Sequence, residues 1–180
     1  MNLDYEKELR DAVFALHTRR FGSVAEILVK KLIGGQNSQK LNYDLFDKIN
    51  NTRIECKFSR VQKSHSMKIT ENNVLKALQY EADRHIEFAQ REDYEWDSNI
   101  QQVKKSEFDQ LFYGLFFSDI IAIFRINANE IGENVNYSDK QHRGNTGEGQ
   151  FHLNNKNIQY HLKNHLYKYL SYNELQEWLQ

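Results

Sequence analysis

Hydrophobic and polar residues recur along this chain with two different periods, and the switches between them mark its elements. In residues 4–19, Tyr5, Leu9, Ala12, Val13 and Leu16 share one stripe of an amphipathic helix. A second helix is predicted after Phe21-Gly22, with Ser23-Val24-Ala25-Glu26 as its capping box and Gly34-Gly35 as its stop. Its apolar stripe is Val24, Ile27, Leu28 and Leu32. The period then drops to two. Residues 43–46 and 53–58 flank Asn50-Asn51, and Asn tolerates the positive φ of a tight turn, so residues 42–60 read as a β-hairpin.

Beyond the hairpin, residues 71–90 place Val74, Leu78, Ala82 and Ile86 along one side of a third helix, and 91–98 form a loop before a short strand over 99–104. Ser106-Glu107-Phe108-Asp109 is a further capping-box match, predicted to open an apolar helix that runs to Phe117. The nearly unbroken apolar run over 119–126 is predicted as a central buried strand. Residues 127–150 contain Gly132, Gly144, Gly147 and Gly149 and show no periodicity, so they read as a long loop. A strand over 158–166 follows, and Ser171-Tyr172-Asn173-Glu174 caps a last helix carrying Leu175, Trp178 and Leu179. These elements predict a mixed α/β (α+β) fold, a mixed central sheet flanked by helices, with the hairpin as two of its strands.

Candidate chemistry concentrates in the hairpin. A turn centred between Asn50 and Asn51 sets Lys57 opposite Asp44 and Glu55 opposite Phe46, and alternation then puts Asp44, Glu55 and Lys57 on one face. Tyr43, Leu45, Ile54, Cys56 and Phe58 share the other, apolar face. A one-residue change in loop length would exchange Asp44 for Asp47. Two carboxylates on neighbouring strands repel unless a cation lies between them, and a lysine on the same face can steady a developing anion, so the hairpin is a candidate divalent-metal site. The plainer alternative is a surface hairpin with an ordinary acid and base pair. Glu26 has two roles open to it, reaching back to the Ser23 backbone N–H as a cap or standing as a third carboxylate near the metal.

Composition narrows the setting. At 180 residues the chain predicts a single domain, and its 39% hydrophobic and 27% charged content is that of a globular protein with no apolar run approaching a membrane span. The N-terminus lacks a basic-then-apolar signal pattern, and the one cysteine, Cys56, cannot form an internal disulfide, so a cytoplasmic location is expected. The net charge of -1 does not advertise a polyanion partner, yet local clusters that include Arg60, Lys63, Lys104, Lys105, Lys140 and Arg143 can still meet phosphates. No phosphate-cradling Gly-x-x-x-x-Gly-Lys segment supports an ATP-dependent activity. His161 and His165, spaced i, i+4, lack the intervening Glu and the helical context of a zinc protease and are assigned to a surface or the DNA-facing side. Cys56 lies on the apolar face without a paired base, which argues against a nucleophile.

In their order and spacing, a helix bearing Glu26, then Tyr43-Asp44, then Ile54-Glu55-Cys56-Lys57, this chain resembles the PD-(D/E)xK nuclease superfamily, with Tyr43 where that family carries proline. Together with Ile100-Gln101-Gln102-Val103-Lys104, Phe108-Asp109 and the run over 119–126, it is similar to small type II restriction endonucleases over roughly residues 20–126. The resemblance implies a restriction-endonuclease-like core in which Asp44 and Glu55 bind Mg²⁺ and Lys57 orients or activates water and stabilises the phosphorane. Glu26 would be an auxiliary acid. Gln102 and Lys104 would share a strand face and line the same cleft, or else form a solvated edge. Lys140, His142, Arg143, Asn145 and Gln150 lie in a glycine-rich stretch whose Arg, Asn and Gln are the side chains that read base edges, which makes it a candidate DNA-recognition loop.

The function implied is Mg²⁺-dependent, sequence-specific hydrolysis of double-stranded DNA. The implied partners are a second copy in a homodimer and a cognate methyltransferase, with no membrane. A repair or junction-resolving nuclease of the same fold, a catalytically silent DNA-binding module and a purely structural interaction protein are the competing expectations.

Overall fold

The computed structural model describes residues 3–64, 67–140 and 147–180. Its element order is α1 (Leu3–Ala15), α2 (Thr18–Ile33), β1 (Gln36–Asn37), β2 (Leu45–Asp47), β3 (Thr52–Arg60), α3 (Val74–Ala82), β4 (Asp97–Val103) and β5 (Gln110–Phe116). Then come β6 (Ile120–Asn127), β7 (Gly149–Asn154), α4 (Ile158–His165), β8 (Leu166–Ser171) and α5 (Tyr172–Leu179). Six strands form a mixed sheet in the order β1-β2-β3-β5-β6-β8, in which β3 and β5 run parallel and the other neighbours antiparallel. A separate two-stranded ribbon pairs β4 with β7. The expected mixed α/β fold, with a mixed central sheet flanked by helices, is therefore the one observed.

Each face of the sheet has its own core, because β5 and β6 are apolar at almost every position and must be covered on both sides. On one face Phe112, Phe116 and Ile123 meet Phe21, Leu28, Val29 and Leu175 from α2 and α5. On the other, Leu111, Tyr113 and Phe124 meet Ile100, Phe151 and Ile158 from the β4–β7 ribbon and α4. Gly114 lets the sheet close over the first core. A Cβ there would run into the Phe58 ring, so that ring can lie over β5 only because the position has none. Among the described residues, no helix is long and apolar enough to cross a membrane.

Several predicted elements differ. The second helix starts at Thr18, with His17 as its extended N-cap, so Gly22 and Ser23 lie inside it and no capping box forms at Ser23. Phe21, Ala25, Leu28 and Val29 are its buried residues, and this packing outweighs the roughly 1 kcal/mol that an interior glycine costs. Gly34, in the left-handed region at φ 66°, ends it as expected. The third helix is confined to Val74–Ala82, and Ala77 is its one buried residue. Val74, Leu75 and Leu78 are exposed, while Ile86 is buried from a loop instead.

Residues 110–116 are a strand rather than a helix. The Asp109 carboxylate that would have capped a helix accepts instead from the Arg53 backbone N–H at 2.8 Å and from its guanidinium at 2.7 Å, which holds the chain extended beside β3. Residues 158–165 are a helix rather than a strand. Asn157 Oδ1 closes the turn before it on the Asn154 N–H at 2.8 Å, and Ile158 and His161, three apart, are its buried residues. The strand comes later, as β8, pairing with β6. Within the region read as one long loop, Gly149 already begins β7.

Candidate active site

The hairpin forms, but two residues out of the expected register. Leu45 pairs with Ile54 and Asp47 with Thr52, so Asp44 comes level with Glu55 rather than with Lys57. A shift by an even number keeps every side chain on its face. Asp44, Glu55 and Lys57 therefore still share one side of β3, while Leu45, Ile54 and Cys56 are buried on the other. Tyr43 departs from that scheme and packs against the opposite core. The loop is longer than a two-residue turn. Asp47 folds back over it, accepting from the N–H groups of Ile49 at 2.9 Å and Asn50 at 3.2 Å, and Asn51 takes φ 52°. Asp47 thus closes the turn and takes no place in the cavity that Asp44 lines.

That cavity measures about 320 Å³ and is lined by Asp44, Glu55, Lys57, Gln102, Lys104, Glu107 and Glu148, among others. Asp44 is fixed there by accepting from the Cys56 backbone N–H at 2.8 Å. Glu55 is only 9% exposed and is ion-paired with Lys57. Burial pushes the Glu55 carboxyl up to about 7, with Asp44 adding to the rise and Lys57 opposing it. Burial also opposes the charged form of Lys57, but Glu55 and Asp44 more than offset it and hold the ammonium above the ordinary lysine value. Lys57 accordingly stays cationic, suited to donating and to stabilising an anion rather than to taking a proton.

Glu26 is half-buried in the middle of α2, too far from the helix start to cap it, since that helix begins at Thr18. Its carboxyl is raised by burial first and by Asp44 next, with Lys57 opposing, which places it within electrostatic range of both although it does not line the cavity. Cys56 is buried, and burial lifts its thiol well above the ordinary value, in keeping with packing rather than chemistry.

Gln102 and Lys104 both line the cavity, brought there by the β4–β7 ribbon. Two carboxylates that no sequence signal places there, Glu107 and Glu148, also line the cavity. Glu148 lies 3.2 Å from Lys104 Nζ and Glu107 lies 3.9 Å from it, and Glu107 also helps raise Glu55. From the sequence, Glu107 is expected inside a capping box at the start of a helix, and Glu148 in the long loop, where it does lie, directly before β7. The pairing of Val103 with Gly149 is what carries Glu148 beside Lys104, a non-local contact with no sequence signal of its own.

Gln150 and Lys140 do not line this cavity. The Gln150 side-chain oxygen accepts from Asn99 Nδ2 at 3.0 Å, and the Lys140 backbone N–H donates to Ser138 Oγ. His142, Arg143 and Asn145 lie outside the described residues. His161 is 1% exposed, not on a surface or a DNA-facing side as expected, with Nδ1 2.9 Å from the Tyr113 hydroxyl.

The donors around the cavity are hard oxygens and ammonium groups, which suits a small divalent cation that keeps several waters. Asp44 and Glu55 are the carboxylates that could hold it. Among the described residues, no group of three or more His, Cys, Asp or Glu side chains is gathered so as to hold a metal ion by itself. A pair of carboxylates with the remaining positions left to water and phosphate is the arrangement Mg²⁺ takes in phosphoryl-transfer sites.

Neither the family models, nor the curated proteins, nor the solved structures compared with this chain match it.

Proposed function

We propose that this chain is a Mg²⁺-dependent DNA endonuclease with a restriction-endonuclease-like core, hydrolysing phosphodiester bonds in double-stranded DNA. One observation carries the reading: Asp44, Glu55 and Lys57 line one cavity together with Gln102 and Lys104. Asp44 is tied to the backbone between Glu55 and Lys57, so the three groups form one rigid unit rather than three independent side chains.

In the proposed reaction a water oxygen attacks phosphorus, the bond from phosphorus to the 3′ oxygen breaks, and the proton lost by the water is balanced by one gained by that oxygen, leaving a 3′-hydroxyl and a 5′-phosphate. Lys57, held cationic by Glu55 and Asp44, orients the water and stabilises charge building on the phosphoryl oxygens. Asp44 and Glu55 would hold Mg²⁺, which supplies charge neutralisation at the phosphate and a more acidic bound water. Glu26 adjusts the field on Asp44 and Lys57 from behind. Lys104, poised between Glu107 and Glu148, meets a neighbouring phosphate.

Cutting both strands requires two such sites, most simply a homodimer whose two-fold axis matches a palindromic target. A sequence-specific enzyme of this kind works beside a methyltransferase that protects the same site, in the cytoplasm. Sequence preference is assigned to residues 140–150, of which 141–146 lie outside the described residues. Incubating the protein with plasmid DNA and Mg²⁺ tests the reading. Discrete fragments are expected, a smear would reduce it to a non-specific nuclease, and intact plasmid would remove it.

A further inference from the structure

Three described residues other than glycine have positive φ: Asn51, Asn136 and Gln102. Asparagine enters the left-handed region readily, and both asparagines do so at turns, Asn51 in the hairpin loop and Asn136 at the end of a short 3-10 turn. Gln102, at φ 58°, has no such excuse from its own chemistry. Its conformation comes from a bulge. Ile100 pairs with Phe151 and Val103 with Gly149, so Gln101 and Gln102 together face the single residue Gln150.

The far side of the bulge is fixed by packing. Gly149 sits directly under Tyr137, with no room for a Cβ, and the Tyr137 hydroxyl donates to the Val103 carbonyl at 3.1 Å. The β4–β7 register is thereby locked at the residue after Gln102, and the extra residue has nowhere to relax.

The result is an exposed Gln102 side chain whose amide has no hydrogen-bond partner among the described residues. It stands where two cavities meet. One is the 320 Å³ cavity of Asp44 and Glu55, and the other, of about 410 Å³, is lined by Arg60, Ser59, Asn99 and Gln101. Lys57 and Gln102 line both. A bulge that aims a side chain beside a reactive centre, at a cost in backbone strain, is a device for positioning. The second cavity offers amides, a hydroxyl and a guanidinium, the donors that hold a sugar-phosphate backbone.

We propose that Gln102 is a positioning residue that grips the DNA strand one nucleotide from the scissile phosphate, where it passes from the first cavity into the second. This rests on the nuclease reading given above. The amide NH₂ donates to the backbone of the adjacent nucleotide, and the strained bulge holds it there in advance of binding.

The test uses Gln102→Gly and Gln102→Asn in the full-length protein, with three readouts: melting temperature, single-turnover cleavage rate at saturating DNA, and the Mg²⁺ concentration for half-maximal rate. Both replacements accept the left-handed backbone, so the melting temperature should hold or rise, by about 2–4 °C for glycine. The cleavage rate should fall about tenfold or more in each, because asparagine is one methylene too short. The Mg²⁺ midpoint should not move. A rate within twofold of an active parent, or a rate that falls only together with the melting temperature, overturns the assignment. A parent protein that cuts no DNA removes the nuclease reading first and this inference with it, an outcome distinct from an active parent with an active Gln102→Gly variant.

Discussion

Asp44 Oδ2 accepts a hydrogen bond from the Cys56 backbone N–H at 2.8 Å, joining the acid ahead of the hairpin to the residue between Glu55 and Lys57. One carboxylate oxygen is used for architecture and the other is left for the cavity. This division explains how an acid outside the strand proper can be held as firmly as one within it, and it separates Asp44 from Asp47, whose oxygens are spent on the turn.

Asp44→Ala should therefore lose cleavage by at least about 100-fold, and it should also lose about 1–3 kcal/mol of stability, because the Cys56 N–H is left without its acceptor. Asp44→Asn keeps an oxygen for that N–H and should recover most of the stability but not the activity. Asp47→Ala should lower the melting temperature and leave the rate per folded molecule unchanged. Paired thermal melts and cleavage assays on the three variants check this, and a reversal of the Asp44 and Asp47 results would contradict the observed register.

Glu55 provides a pH signature. Its folded-state pKa is raised to about 7, mainly by burial, so in the metal-free protein the cost of ionising it is absent below the unfolded value of 4.5 and complete above about 7. Metal-free stability should decline as pH rises through that window, and Mg²⁺ should restore it increasingly toward the alkaline side, since proton and cation compete for one carboxylate. Melting curves with and without Mg²⁺ between pH 5 and pH 8.5, roughly spanning the window, measure both effects. Glu55→Gln should abolish the Mg²⁺ response.

His161 gives the opposite sign, at a distance from the chemistry. Burial lowers its pKa to about 4, with His165 adding to the effect. Neutral in the folded core, it contributes stability that is present above the unfolded value of 6.5 and is lost as pH falls through about 4. Acid should destabilise the protein across that range, and His161→Gln should flatten the dependence, as read from melting temperature against pH.

What could be read from the chain alone follows from how local the governing contacts are. The capping box at Ser171 and Glu174, the Gly34 stop and the apolar run of β6 depend on near neighbours or on continuous burial, and all three are present. The strand over 110–116 could not be read from its neighbours. Ser106 and Asp109 have the spacing of a helix cap, and only Arg53, far upstream, diverts Asp109 from that use. The same holds around the cavity. Asp44, Glu55 and Lys57 can be grouped by strand parity, which is the same in the expected and the observed register because the two differ by an even number of residues. Glu148 and the strained Gln102 reach the cavity through the pairing of β4 with β7, and Glu107 through the turn that joins β4 to β5; no periodicity announces either.

The most direct measurement compares the parent protein with Lys57→Ala on plasmid DNA, following cleavage in Mg²⁺ and binding in Ca²⁺. Loss of the ammonium should lower the cleavage rate by about 10²–10³-fold or more while binding in Ca²⁺ is retained. Unchanged cleavage by Lys57→Ala would contradict the assignment of this cavity as the active site, and absence of cleavage by the parent would contradict the nuclease itself.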